Sequence, residues 1–323
     1  MTTPRPVQPA IVARAVNSRL RVGRLTQAGQ AITLTQTDAT TCGPTCLLAA
    51  RLLLAPDERQ AVTGELAQEM ATSEPGREGK HLMSLLSRHQ LRIQRAMNVR
   101  GLGILPWPKA LGSTPWSVAR QMTEIAEACA LGCSRRRYTV RWVSDHGPAW
   151  GTEVASIREV LAGGLPVILV TGGPLVLDHD AEVDPTAGAR LRASLARTPA
   201  VPRHYVLALP WQTIEQDDPG EGSVHIYEPS SGSVRPLDLT APRDPHRPGP
   251  RELGGWPRVL AVVAPAGAGV REVALGAVLA GAVGPGALVV VVLAVRLTTT
   301  IADVVLGVGA SLAMRKRPGP PRS

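Results

Sequence analysis

The stretch that decides the reading is Gln36-Thr37-Asp38-Ala39-Thr40-Thr41-Cys42-Gly43-Pro44-Thr45-Cys46, which runs directly into Leu47-Leu48-Ala49-Ala50-Arg51-Leu52-Leu53-Leu54. A polar, β-branched loop is followed by a cysteine, then Gly-Pro, then an apolar run of strong helix formers. Proline fits the first turn of a helix, where its missing N–H would have no partner in any case. Cys42 is therefore expected at a helix N-terminus. There the unpaired amides and the positive end of the helix dipole favour an anion. A thiolate is such an anion, and helix N-termini stabilise thiolates. Gln36, six residues upstream, carries an amide NH2 within reach of the same spot, where it can donate to an oxyanion. These residues make half of a cysteine-nucleophile site.

A competing reading treats Cys42 as an ordinary apolar core residue, the commonest fate of a buried cysteine. A thioredoxin motif is excluded, because it has two residues between its cysteines and this stretch has three. The nucleophile reading requires a distant histidine with an orienting carboxylate or amide behind it.

Composition sets the frame. The chain has 323 residues, of which 44% are hydrophobic, enough for a sizeable core. Its net charge of +9 is dispersed among separate arginine clusters, such as Arg135-Arg136-Arg137 and the terminal Arg315-Lys316-Arg317. No basic stripe is interleaved with aromatics, so no nucleic-acid partner is expected. The four cysteines form two CxxxC pairs, Cys42/Cys46 and Cys129/Cys133. Two such pairs could form a four-thiolate zinc site, but both sit in helical-looking sequence, so the thiols are read as free. No metal and no cofactor are expected.

Along the chain, residues 1–30 read as a proline-broken extension with a short helix over 11–20. A helix is expected from Pro56 to about Ala71, opened by Pro56 and the acids behind it. A short helix follows over 80–89, with Leu82, Leu85 and Leu86 on one face. Another starts at Pro115, capped by Thr114, and runs to about Leu131. Strands are expected over 137–143, 166–170, 204–209, 224–227, 233–237 and 256–263, with a helix over 155–162 and a long polar insertion over 172–202. Helices first and antiparallel strands afterwards imply an α+β domain.

His204 opens a strand immediately after the insertion, and Glu228 ends the next strand pattern, so the acid can lie beside the imidazole and orient it. The order Gln36, Cys42, His204, Glu228 on a helix-then-sheet chain is the papain-like arrangement. The run Gln36-x5-Cys42-Gly43-Pro44-Thr45-Cys46, with His204-Tyr205-Val206 and Tyr227-Glu228-Pro229-x2-Gly232, resembles the bacterial cysteine peptidases that remove double-glycine leaders and their wider leader-peptidase-like group. The resemblance spans roughly residues 30–264. It implies a papain-like fold and a peptide or protein substrate, with Cys42 as nucleophile, Gln36 as oxyanion donor and His204 as general base and acid. Its third member is normally an Asp before Pro; here Glu228 stands there, with Asp217 and Asp218 as the other acids within sequence reach. A module of the same fold that binds peptides without cleaving them is the alternative.

Residues 273–295 carry no charge and are long enough to cross a bilayer. Residues 297–314 are again apolar apart from a threonine run and Asp303. A two-helix hairpin would return the basic end 315–317 to the cytosol; a single span, or an apolar appendage packed on the domain, are the other readings. The expected organisation is an extension over 1–30, a peptidase-like domain over 31–265, a hydrophobic segment over 266–314 and a basic tail over 315–323. The chain would then be tethered to the cell membrane through 273–314, with its first domain on the cytoplasmic side and a membrane protein as a further partner.

Overall fold

In a computed structural model, the protein is described over residues 11–24, 31–71, 77–101, 105–128, 137–175 and 199–266. The chain divides into two units, residues 1–268 and 269–323, and all the described residues belong to the first.

The leucine-rich run behind Cys42 forms the helix at the centre of this unit, α1 (Cys42–Leu54). Every residue from Cys42 to Ala50 is buried, which is why the run is apolar all round rather than striped. Leu47, Leu48 and Leu52 are fully enclosed, and truncating any one of them would cost about 2–5 kcal/mol. Around α1 pack α2 (Pro56–Met70), α3 (Glu78–Val99) and α4 (Pro115–Ala128). Pro56 opens α2 as expected, and the Thr114 hydroxyl accepts a hydrogen bond from the Ser117 N–H at 3.2 Å, capping α4.

The helix expected over 80–89 continues to Val99. Its buried face goes on through Gln90, Ile93, Gln94 and Met97, and the two glutamines disguise the apolar period. A larger difference lies over 11–20, where the sequence reading expected a helix. These residues form a hairpin, β1 (Val12–Val16) and β2 (Arg19–Gly23). Val12 to Val16 alternate in exposure, and Asn17 and Ser18 both take positive φ, 51° and 57°. A two-residue loop of that hand matches the twist of paired strands. Hydrogen bonds from Leu20 N to Gly232 O (2.9 Å) and from Val234 N to Ser18 O (2.8 Å) join the hairpin to the sheet. Part of the expected extension thus belongs to the fold.

The remaining strands are β3 (Ala31–Thr33), β4 (Tyr138–Trp142), β5 (Val167–Gly173), β6 (Val201–Leu209), β7 (Ser223–Glu228), β8 (Ser233–Asp238) and β9 (Arg258–Pro265). Among the described residues the sheet has nine strands in the order β1-β2-β8-β7-β6-β5-β9-β4, with β3 pairing β2, and its ladders are antiparallel. The expected strands from 137 to 263 are all present, and α5 (Trp150–Ala162) covers the second face. Both faces of the middle of the sheet are covered, so β5 is buried at every position. Alternation along β6 sends Tyr205, Leu207 and Leu209 into the core shared with α1 to α4, and Val206 and Ala208 into the core beneath α5. The chain is α+β with an antiparallel sheet and several helices.

Among the described residues no helix is long and apolar enough to cross a membrane. The expected membrane segment 273–314, the pair Cys129/Cys133 and most of the insertion, 176–198, lie outside the described residues.

Candidate active site

The loop before α1 has no regular backbone ladder, so side chains must hold it. Gln90 of α3 does most of this. Its carbonyl oxygen accepts from Thr37 N (2.9 Å), Thr37 Oγ1 (2.7 Å) and Thr45 Oγ1 (3.0 Å), while its amide donates to Thr35 O (2.9 Å). One turn on, the Gln94 amide donates to Thr40 O at 3.0 Å and Thr40 Oγ1 at 2.8 Å. Buried amides saturated in this way are rigid, since any shift of the loop would strand a polar group. Thr41, the residue before α1, makes no side-chain cap. Its hydroxyl instead accepts from Thr37 N and Asp38 N (3.0 and 2.9 Å). The N-terminus of α1 therefore keeps its positive end uncapped beside Cys42.

Cys42 is the first residue of α1, as the sequence predicts, and is 4% exposed. It lies close enough to His204 of β6 to act on the ring, favouring its protonated form. On the other side of the ring, His204 Nε2 lies 2.9 Å from Glu228 Oε1, at the end of the neighbouring strand β7. With Nε2 committed to the carboxylate, Nδ1 is the nitrogen left for the thiol. The extra methylene of Glu228 does not keep it from the ring. The Asp218 carboxylate is occupied elsewhere, gripping Arg158 Nη2 at 2.9 and 2.8 Å, and Asp217 meets His225 Nε2 only through its backbone carbonyl, at 2.9 Å.

Glu228 is itself held by the turn that follows it. Oε1 accepts from Ser230 N (2.7 Å) and Ser230 Oγ, and Oε2 accepts from Ser231 N (2.8 Å) and Ser231 Oγ (2.7 Å). The turn closes at Gly232, whose φ is +68° and where a Cβ would stand 2.6 Å from Leu34 O. Burial pushes the Glu228 carboxyl up, but the hydrogen bonds from His204, Ser230 and Ser231 outweigh it and bring it down to about 2. Burial pulls the His204 imidazole down, while hydrogen bonds to Cys42 and Glu228, and their charges, raise it to about 9. His204 is thus favoured as an imidazolium beside the Glu228 carboxylate.

The family, curated-protein and solved-structure comparisons add nothing to this: no family model matches the chain, and no curated protein or solved structure is significantly similar to it.

Gln36 is tied to the same turn, its N–H donating to Pro229 O at 2.8 Å, one residue past Glu228. Its side-chain Oε1 is buried without a hydrogen-bond partner among the described residues. Cys46 lies one helical turn below Cys42, fully buried, with its Sγ 3.5 Å from Tyr205 O. Burial, with Cys42 and Glu228 adding to it, pushes the Cys46 thiol well above its ordinary range, so it remains a core S–H. Tyr205, next to His204 in sequence, points to the opposite face and donates from its hydroxyl to Ser113 O at 2.6 Å. This fixes the Ser113 loop against Gly43, where a Cβ would lie 3.4 Å from Ser113 Cβ. Sequence reasoning had brought together Cys42, His204, Glu228 and the Gln36 loop, but not Gln90, Ser230 or Ser231. The two serines carry a local signal, since hydroxyl residues just after an acid favour side-chain-to-backbone turns. Gln90 carries none.

Proposed function

We propose that the chain is a papain-like cysteine peptidase acting on a peptide or protein substrate. The observation that supports this most is the His204–Glu228 hydrogen bond, with Cys42 beside the same imidazole at an uncapped helix N-terminus. In this reading the Cys42 thiolate attacks the substrate carbonyl carbon. The oxyanion of the tetrahedral intermediate is held by the Cys42 N–H and the Gln36 amide. His204 gives its proton to the departing amine, leaving an acyl-thioester on Cys42. It then takes a proton from the water that hydrolyses this thioester. Glu228 keeps the ring turned toward the thiol and stabilises the imidazolium. The uncharged length of 273–295 and the basic end 315–317 support a tether through 273–314 at the cell membrane, with the peptidase on its cytoplasmic side.

A peptidyl electrophile such as a peptide vinyl sulfone tests the reading, with the adduct located by mass spectrometry. The expected result is one adduct, on Cys42, absent from Cys42→Ala and formed far more slowly in His204→Ala. A probe that marks Cys42 equally fast with or without His204 would remove the mechanism and leave a peptide-binding module of the same fold.

A further inference from the structure

We propose that Gly254 is a positioning residue for His204, its bare Cα lying against the imidazole edge that bonds Glu228 and closing that edge to water. The proposal rests on the peptidase reading for its functional meaning, but the contact itself is geometric. A Cβ built on Gly254 would stand 2.8 Å from His204 Nε2, 3.1 Å from Cγ, and closer still to Cδ2. No side chain fits at those distances without displacing the ring, and the ring is held by Glu228. His204 and Glu228 are only 7% and 4% exposed, so the Nε2–Oε1 bond lies under this backbone.

The glycine is pressed onto the ring by its own segment. Residues Arg251–Leu253 form a single 3-10 turn, and Gly254 donates to Arg251 O at 3.0 Å. The segment is pinched at its base by Gly249 N to Gly255 O (2.9 Å). Thr171 of β5 is the register partner of His204 on β6, and its hydroxyl donates to Leu253 O at 3.1 Å. Leu253 itself is fully buried in the core beneath α5. The strand neighbour of the histidine thus ties down the loop that roofs it. Such a roof acts twice: it blocks the rotamers that would turn the ring from Cys42, and it keeps the imidazole–carboxylate bond in a low-dielectric site where its charges interact strongly.

The adjacent glycine supplies the control. Gly254 and Gly255 both have left-handed backbone, with φ of +69° and +78°, but a Cβ on Gly255 meets nothing within 4 Å. Alanine therefore strains the backbone at both positions and presses the imidazole only at 254. In the full chain, the His204 imidazole titration is followed by NMR and Cys42 alkylation by iodoacetamide at pH 7. Gly254→Ala is expected to lower the midpoint of the His204 titration by at least one pH unit and to slow alkylation at least tenfold. Gly255→Ala should leave both within twofold at a similar loss of melting temperature. Thr171→Val, which keeps the shape and removes the tie to Leu253, should shift the His204 titration in the same direction by less; it decides the matter if Gly254→Ala fails to fold. Equal effects of the two alanines, or an unmoved His204 titration in Gly254→Ala and Thr171→Val, would overturn the proposal. If wild-type Cys42 alkylates no faster than in His204→Ala, the peptidase reading falls, while the His204 titration still decides the role of Gly254.

Discussion

Two buried carboxylates in this molecule have been satisfied in different ways. Asp145, in the loop between β4 and α5, accepts from Arg243 Nη2 (3.0 Å), Arg258 Nε (2.5 Å) and Val259 N (2.8 Å). Burial pushes its carboxyl up, but these donors prevail and hold it below its ordinary value. Its charge is consumed by permanent cations, and the cluster clamps β9 to the loops on either side. Glu228 instead takes four of its bonds from neutral serine groups, and among the described residues its one ionisable hydrogen-bond partner is a histidine. Serine donors neutralise no charge, so the carboxylate's field falls on the imidazole and, through it, on Cys42. A carboxylate ringed by arginines locks structure, whereas one ringed by hydroxyls and an imidazole controls a proton.

The sharpest break in the comparison should come from the reactive groups. Cys42→Ala should abolish peptide hydrolysis with little loss of thermal stability, and His204→Ala should lower hydrolysis by about a thousandfold or more while also costing stability, since it strands the buried Glu228 carboxylate. Asp145→Ala should do the reverse. Stranding two buried guanidiniums costs about 3–5 kcal/mol, seen as a large fall in denaturation midpoint, while the folded fraction alkylates at the wild-type rate. Glu228→Gln should fall between them, with reactivity of Cys42 down about a hundredfold and a stability cost of about 1–3 kcal/mol from mismatched serine donors.

The pH dependence sharpens the contrast further. Glu228 is brought from 4.5 down to about 2, so its stabilisation is complete above 4.5 and is lost as pH falls toward 2. His204 is raised from 6.5 to about 9, so its contribution is complete below 6.5 and is lost as pH rises through 9. The stability difference between wild type and Glu228→Gln should be largest between those limits and shrink on both sides. Asp145 has arginine partners that keep their protons, so the difference between wild type and Asp145→Asn should show no alkaline loss over the same range. The smallest effect belongs to Asp218, whose side chain is 46% exposed. Asp218→Asn should change stability by no more than about 0.5 kcal/mol and leave Cys42 reactivity unaltered.

Which parts were legible in the sequence follows from the range of the forces involved. Pro56, Thr114-Pro115 and the Cys42-Gly43-Pro44 turn act within a few residues, and their helices begin where those signals stand. The strand spacing carried His204 and Glu228 to the same end of neighbouring strands. Asn17-Ser18 was local too, but it lay inside the stretch 11–20 read as a short helix, so its hairpin turn went unread. The end of α3 was hidden because Gln90 and Gln94 are polar residues on a buried face, and their partners lie more than fifty positions away in the Cys42 loop. Gly254 gave no sign, since its importance is a close approach to a ring that only the folded sheet delivers.

The most direct test of the account is the rate of Cys42 alkylation by iodoacetamide across pH 5–9 in wild type, His204→Ala and Glu228→Gln. The account predicts that at pH 6 the wild type reacts about a hundredfold faster than His204→Ala, with Glu228→Gln between them. The gap should close above about pH 9, where the imidazole gives up its proton. Superimposable profiles for the three proteins would contradict it, leaving Cys42, His204 and Glu228 as a buried structural cluster like that of Asp145.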